Sequence, residues 1–107
     1  KGALEKAKYS CESDPSHSSF ISDKTGKNYM EPHHLIPISN QGLYSNDIDI
    51  TSNLICLCPT CHKKIHYGIK ADVKSMLQAF YAARQKDLKT CGIEIDIDTL
   101  FAYYDIY

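Results

Sequence analysis

The stretch Cys58-Pro-Thr-Cys-His-Lys-Lys-Ile-His66, CPTCHKKIH, brings two thiols and two imidazoles into one short segment. Proline is favoured at the first position of a helix, where its missing N–H would have had no partner. A helix is therefore predicted from Pro59 to His66, ending near Gly68. Successive helical residues are rotated by about 100°, so His62 and His66 lie about 40° apart on one face, while Cys61 points about 100° away from His62. Cys58, at the start of the helix, can reach back toward Cys61 as the paired thiolates of a zinc knuckle do. The segment thus divides into a Cys pair and a His pair, suited to two separate ions, and each pair needs further ligands from outside it.

For the thiolates, a closed tetrahedron needs two more N or S donors. Cys11 is the upstream candidate, and His17, in the same loop, can supply the fourth. Cys56 competes for that place, although its setting between Ile55 and Leu57 also suits a small buried hydrophobe. Cys91, near the tail, reads as structural filler. For the imidazoles, the histidines that remain are His33 and His34. One of them can ligate; the other, turned to the opposite side by extended geometry, is free to act as a base. The plainer reading, a polar turn packed on Tyr29, would leave His62 and His66 without a third ligand.

The chain of 107 residues is short enough to be one domain. A domain of this size buries only about 60 to 70% of the surface its unfolded chain exposes, so a structural metal would help it. Five cysteines leave at least one unpaired, and the Cys58/Cys61 spacing beside histidines suits metal ligation better than a disulfide framework. That implies a reducing, cytoplasmic compartment. No apolar run of about 18 residues and no leader-like segment argues for a membrane, and the Lys1-Gly2 start reads as that of a fragment of something longer. The net charge of -1 excludes a generally basic coat. Basic residues nevertheless gather between Lys63 and Lys89 while acids gather in the tail; by itself such a run is usually a solvated helix face.

Around the deciding segment, residues 3–8 read as a short helix and Cys11 to Lys27 as an irregular loop. Asn28–Met30 and Leu35–Ile38 look extended, with Pro37 limiting the second piece, and Gln41 to Ser52 is loop-like. Beyond Gly68, Ile69, Val73, Met76, Leu77, Phe80, Tyr81 and Leu88 recur mostly at steps of three and four, predicting an amphipathic helix of roughly 16 residues whose stripe is core. In the tail, Ile93, Ile95 and Ile97 alternate with acids, a short strand signal, and Asp98 is placed to cap a last helical turn.

The ordered set Tyr29-Met-Glu-Pro-His-His-Leu-Ile-Pro-Ile38, Asn53-Leu-Ile-Cys-Leu-Cys-Pro-Thr-Cys-His62 and His66 resembles the His-Asn-His (HNH) nucleases of the ββα-metal (His-Me finger) fold, in particular the HNH domains of bacterial restriction and modification-dependent endonucleases. The resemblance has its core at residues 29–68, reaches loosely to Cys11, and takes in the tail GIEIDIDTLFAYY. It implies a small α+β domain, residues 1–107, with a structural zinc site, flanking helices and a C-terminal amphipathic helix. It makes His33 a metal ligand with His62 and His66, and His34 the general base that deprotonates the attacking water. Asn53 would hold the loop and so orient His34. One divalent ion (Mg2+, Mn2+, Ni2+ or Co2+) would neutralise charge developing on the scissile phosphate and stabilise the leaving 3′ oxygen. Glu31 occurs at this point in many relatives, as a partner to a ligand or as an exposed strand residue. Where many relatives carry an upstream C-x-x-C, this chain has only Cys11, so the Zn2+ set becomes Cys11, Cys58 and Cys61 with His17, or in competition Cys56, as the fourth ligand.

The implied function is metal-dependent hydrolysis of DNA phosphodiester bonds as the cleavage domain of a restriction or defence enzyme. Lys63, Lys64, Lys70 and Lys74 can address phosphates of double-stranded, modified or unmodified DNA. No reader of sequence is visible, so a specificity domain is expected elsewhere in the parent chain; a homodimer is a further option. The rival reading, a non-catalytic zinc-stabilised nucleic-acid-binding module, explains the Cys pair but not the histidines and Asn53 together. A zinc deaminase or peptidase would require an H-x-E or H-E-x-x-H carboxylate, and Glu31 precedes the histidines instead.

Overall fold

The computed structural model describes residues 2–107; Lys1 of the Lys1-Gly2 start lies outside them. Helix α1 (Gly2–Lys6) is followed, after a long loop, by strand β1 (Glu31–His34). Strand β2 (Leu54–Leu57) then leads through helix α2 (Pro59–Tyr67) to helices α3 (Lys70–Thr90) and α4 (Ile97–Tyr103). The two strands pair antiparallel, with His33 opposite Ile55 and His34 opposite Leu54. β2 is buried at every position and has both α1 and α2 packed against it. Burial on both faces is why its sequence, LICL, shows no alternation. The result is a small α+β domain with one two-stranded sheet, as the resemblance implies.

The strand does not fall where local pattern puts it. Asn28 makes only an isolated bridge to Ile21, across a turn in which Gly26 takes φ 70°. Leu35 and Ile36 are fully buried, but Asn53 takes their backbone N–H groups: its main-chain oxygen accepts from Leu35 at 2.8 Å and its Oδ1 from Ile36 at 2.8 Å. Pairing is thereby confined to the four residues between the two expected pieces, Pro32 included. Opposite Pro32, the N–H and C=O of Cys56 turn outward to Glu12, at 2.7 Å and 2.8 Å, so the proline's missing donor costs nothing. Glu12 is paired in turn with Arg84 of α3, which also donates to Leu54 O at 3.1 Å.

Other boundaries move as well. α1 stops at Lys6, with Lys8 and Tyr9 at positive φ, and α3 extends to 21 residues. The segment from Gln41 to Ser52 holds one 3-10 turn, Ile38–Leu43, at its start and another, Thr51–Asn53, at its end. Ile93, Ile95 and Ile97 form no strand. Ile93 is buried in the core, Tyr81 Oη donates to Ile95 O at 2.8 Å, and Asp96 in place of Asp98 caps α4 by accepting from Thr99 N at 2.7 Å. No helix among the described residues is long and apolar enough to cross a membrane.

Asn53 is fully buried and every polar atom of its amide is used: besides Oδ1, Nδ2 donates to Ile36 O at 3.0 Å and to Ile48 O at 2.9 Å. Each buried partner left unsatisfied costs about 1–3 kcal/mol. Asn53→Ala is therefore expected to destabilise the domain by roughly 3 kcal/mol or more. In urea it should lower the midpoint with little change of slope, and a loss below about 1 kcal/mol would remove Asn53 from its place at the centre of the fold.

Candidate metal centre and cleft

The thiolate group is assembled from three parts of the chain. Cys11 lies just beyond α1, Cys58 is the residue before α2, and Cys61 sits in the first turn of α2, where its N–H donates to Cys58 Sγ at 3.4 Å. His17 comes from the exposed loop. One donor atom from each of Cys11, His17, Cys58 and Cys61 lies within 4.8 Å of the others. His17 Nδ1 is 3.3 Å from Cys61 Sγ and 3.8 Å from Cys58 Sγ. Ligand lengths of about 2.3 Å for sulfur and 2.0–2.1 Å for nitrogen imply S···N edges of about 3.5 Å in a tetrahedron, so the group fits zinc. Nε2 of His17 faces Asp14 at 3.5 Å, leaving Nδ1 toward the sulfurs.

The competitor Cys56 is not in the group. It is fully buried under β1, and burial first, then Glu12 and Cys11, pushes its thiol up to about 12, as for a buried hydrophobe. Cys91 is exposed, near Ser52. Burial acts to raise the Cys11 thiol, but hydrogen bonds from the backbone of Cys58, Asp14 and Ser13 bring it down to about 7. Burial pushes Cys61 up to about 12. A cation bound among the sulfurs would favour their thiolate form.

The second group comes from β1 and α2. His33 is the inward residue of β1, and His62 and His66 lie one turn apart on α2. Their ring centroids form a near-equilateral triangle with sides of 5.3, 5.0 and 5.1 Å, and their donor atoms also fall within 4.8 Å. Burial, reinforced by His66, His62 and His34, lowers His33 to about 3, and burial lowers His66, so these rings stay neutral, the form that ligates metal. The group suits a divalent ion bound by imidazole nitrogen. Glu31 now has a definite place: its Oε1 accepts from His62 Nδ1 at 2.7 Å, and Tyr29 Oη donates to its Oε2 at 2.9 Å. The His62 hydrogen bond holds the Glu31 carboxyl below its ordinary range.

His34 stays out of this group. Its Nε2 lies 2.8 Å from Asp49 Oδ1, a contact that sequence reading misses because nothing in the polar loop marks Asp49 out. Asp49 follows Ile48, whose carbonyl is held by Asn53, so the carboxylate next to His34 is anchored through the same amide that organises the fold. A cleft of about 490 Å³ runs past His33, His34, His62, His66 and Lys70. Lys63 and Lys64 are exposed on α2, with Lys63 Nζ 5.7 Å above the Tyr67 ring. Lys74 lies over the Phe101 ring at 5.3 Å, beside a separate recess.

Residues 17–68 match the family model described as HNH endonuclease. Over 78 residues the chain is 35% identical to the type IV methyl-directed restriction enzyme EcoKMcrA of Escherichia coli (strain K12), an alignment covering 73% of this chain and 25% of that protein. It is 50% identical over 42 residues to anaredoxin of a Nostoc species, covering 38% of this chain and 49% of the relative. The chain thus spans about a quarter of the first relative's length and about half of the second's.

A structural zinc ion contributes about 10–16 kcal/mol, as much as the whole stability of a small domain, about 5–15 kcal/mol. Cys58→Ala is accordingly expected to lose zinc and unfold or aggregate, whereas His62→Ala, at a partly exposed position, should keep the fold. Elemental analysis should find two ions per chain, one resistant to dialysis and one exchangeable. A single ion, or a Cys61→Ala protein with unchanged melting, would contradict the division.

Proposed function

With residues 17–68 constituting an HNH endonuclease domain related to a restriction enzyme, we propose that this protein is a metal-dependent DNA endonuclease. It would form the cleavage domain of a cytoplasmic defence system. The observation that carries the reading is the separation of His34 from three histidines gathered on one point: one imidazole lines the cleft outside the His33, His62 and His66 group.

When bound at His33, His62 and His66, a divalent ion supplies Lewis-acid stabilisation of charge on the phosphoryl and leaving oxygens. The chain's own residues do the rest. Asp49 accepts the Nε2–H of His34 and so fixes the tautomer in which Nδ1 is unprotonated. Nδ1 then takes a proton from the water that attacks phosphorus. Asn53 acts at one remove, holding Ile48 and with it the loop that carries Asp49. Lys70 in the cleft, Lys63 and Lys64 beside it, and Lys74 further out address flanking phosphates, contacts that position the duplex without reading bases. Selection of sequence or base modification falls to a specificity domain elsewhere in the parent chain. The other four protein donors, Cys11, His17, Cys58 and Cys61, hold zinc and keep α2 in place.

Incubation of supercoiled plasmid with the purified chain and magnesium, manganese, cobalt or nickel tests the proposal. Nicking or linearisation is expected, with little sequence preference and a rate that falls steeply with salt. DNA binding without cleavage in all four metals would assign the chain to the zinc-stabilised binding modules instead. Within an active protein, His34→Ala should retain the fold and both ions yet lose roughly 10² to 10⁴ in rate, the worth of a positioned general base. His33→Ala should also weaken the exchangeable ion. If His34→Ala cuts at the wild-type rate, or is the variant that loses the ion, the roles within the pair are reversed or absent.

A further inference from the structure

Tyr104, the residue that ends α4, reaches back across the fold to β1. Its hydroxyl oxygen stands 2.6 Å from Leu35 O, 3.3 Å from His34 O and 2.9 Å from His33 Nε2. The phenol has one proton to give. A carbonyl can only accept, and the shortest of the three contacts is to the carbonyl of Leu35. The proton is therefore committed to Leu35 O, and the hydroxyl can meet His33 Nε2 only as an acceptor.

This assigns the hydrogen on His33. Its Nε2 carries the proton and donates to Tyr104 Oη, which leaves the lone pair on Nδ1. Among the described residues no other hydrogen bond reaches this ring, so no second contact competes to set its tautomer. His62 is held the opposite way round, with Nδ1–H given to Glu31 and Nε2 left free. His66 makes no side-chain hydrogen bond among the described residues.

Resting on the reading of His33 as a ligand, we propose that Tyr104 is a positioning residue for the exchangeable ion: by accepting from Nε2–H it fixes the His33 tautomer that presents Nδ1, and turns the ring to present it. Hydrogen-bond partners of this kind on ligating histidines are typically worth 10- to 100-fold in metal affinity. The residue lies in the tail, well outside the segment that carries the ligands, so no spacing rule points to it.

The test uses the zinc-loaded chain without a second ion. Long-range proton–nitrogen correlation spectra, with the His33 signals assigned by comparison with His33→Ala, should show His33 protonated at Nε2 alone. Tyr104→Phe should mix the two tautomers and weaken manganese binding, measured by calorimetric titration with the metal alone, by about 10- to 100-fold, with zinc content unchanged. A role confined to anchoring the tail would lower melting without moving either the tautomer or the manganese affinity. A wild-type spectrum with the proton on Nδ1 overturns the proposal, and that measurement decides even if Tyr104→Phe fails to fold. His62→Ala separates the two levels of the argument. If it loses manganese while Tyr104→Phe binds it like the wild type, the Tyr104 inference alone falls. If His62→Ala also binds like the wild type, the ion site itself falls and takes the inference with it.

Discussion

One buried carboxamide ties together the segments on which the rest depends. Asn53 accepts from Ile36 N–H and donates to the carbonyls of Ile36 and Ile48, so it links the segment after β1, the polar loop and the start of β2 at one point. Buried amides are costly unless every donor and acceptor is used, and here the geometry that uses them permits one arrangement of three chain segments. That arrangement ends β1 at His34 and brings Asp49 to the His34 ring. A residue with no contact to the cleft thus fixes the relation between the strand that lines one of its sides and the loop that carries Asp49.

Helix α2 serves two sites because its period separates them. Cys61 is buried toward Cys11 and His17, while His62 and His66 face β1 on the other side, a division that the 100° step between successive helical residues imposes. The two donor sets also differ in kind. Three sulfurs and one nitrogen, mostly buried, make a closed set, whereas three imidazoles at the edge of a cleft leave positions for water or substrate. With a metal bound by the sulfurs at its start, the helix would be a fixed mount for the histidines further along.

The sequence is most legible where chemistry is dense. The spacing in CPTCHKKIH divides the donors, and the donor atoms of Cys11, His17, Cys58 and Cys61, and of His33, His62 and His66, do gather in two groups. Elements whose limits are set locally, such as α2 with Pro59 at its start, also read correctly. β1 does not, because its ends are determined by Asn53 and Glu12 at distant positions. The alternating isoleucines of the tail mislead for a related reason: alternation signals a strand only where a partner strand pairs with it, and this segment packs on α3 instead, with Tyr81 Oη donating to Ile95 O. Neither the role of Asp49 nor that of Tyr104 can be read from spacing, because each depends on hydrogen bonds across the fold.

The reach of Tyr104 to His33 also orders the making of the protein. On a ribosome the chain is produced from its N-terminus, and domains form as their residues become available. Every sulfur of the Cys11/His17/Cys58/Cys61 group has been made once Cys61 has, and every imidazole of the second group once His66 has. The hydroxyl that meets His33 comes later, after α3 and α4. A nascent chain can thus bring its Cys11/His17/Cys58/Cys61 group together early, while the histidine that faces the cleft acquires its Tyr104 partner only when synthesis is nearly past this segment. The scaffold precedes the finished site, and a chain interrupted within α3 would hold the first without the second.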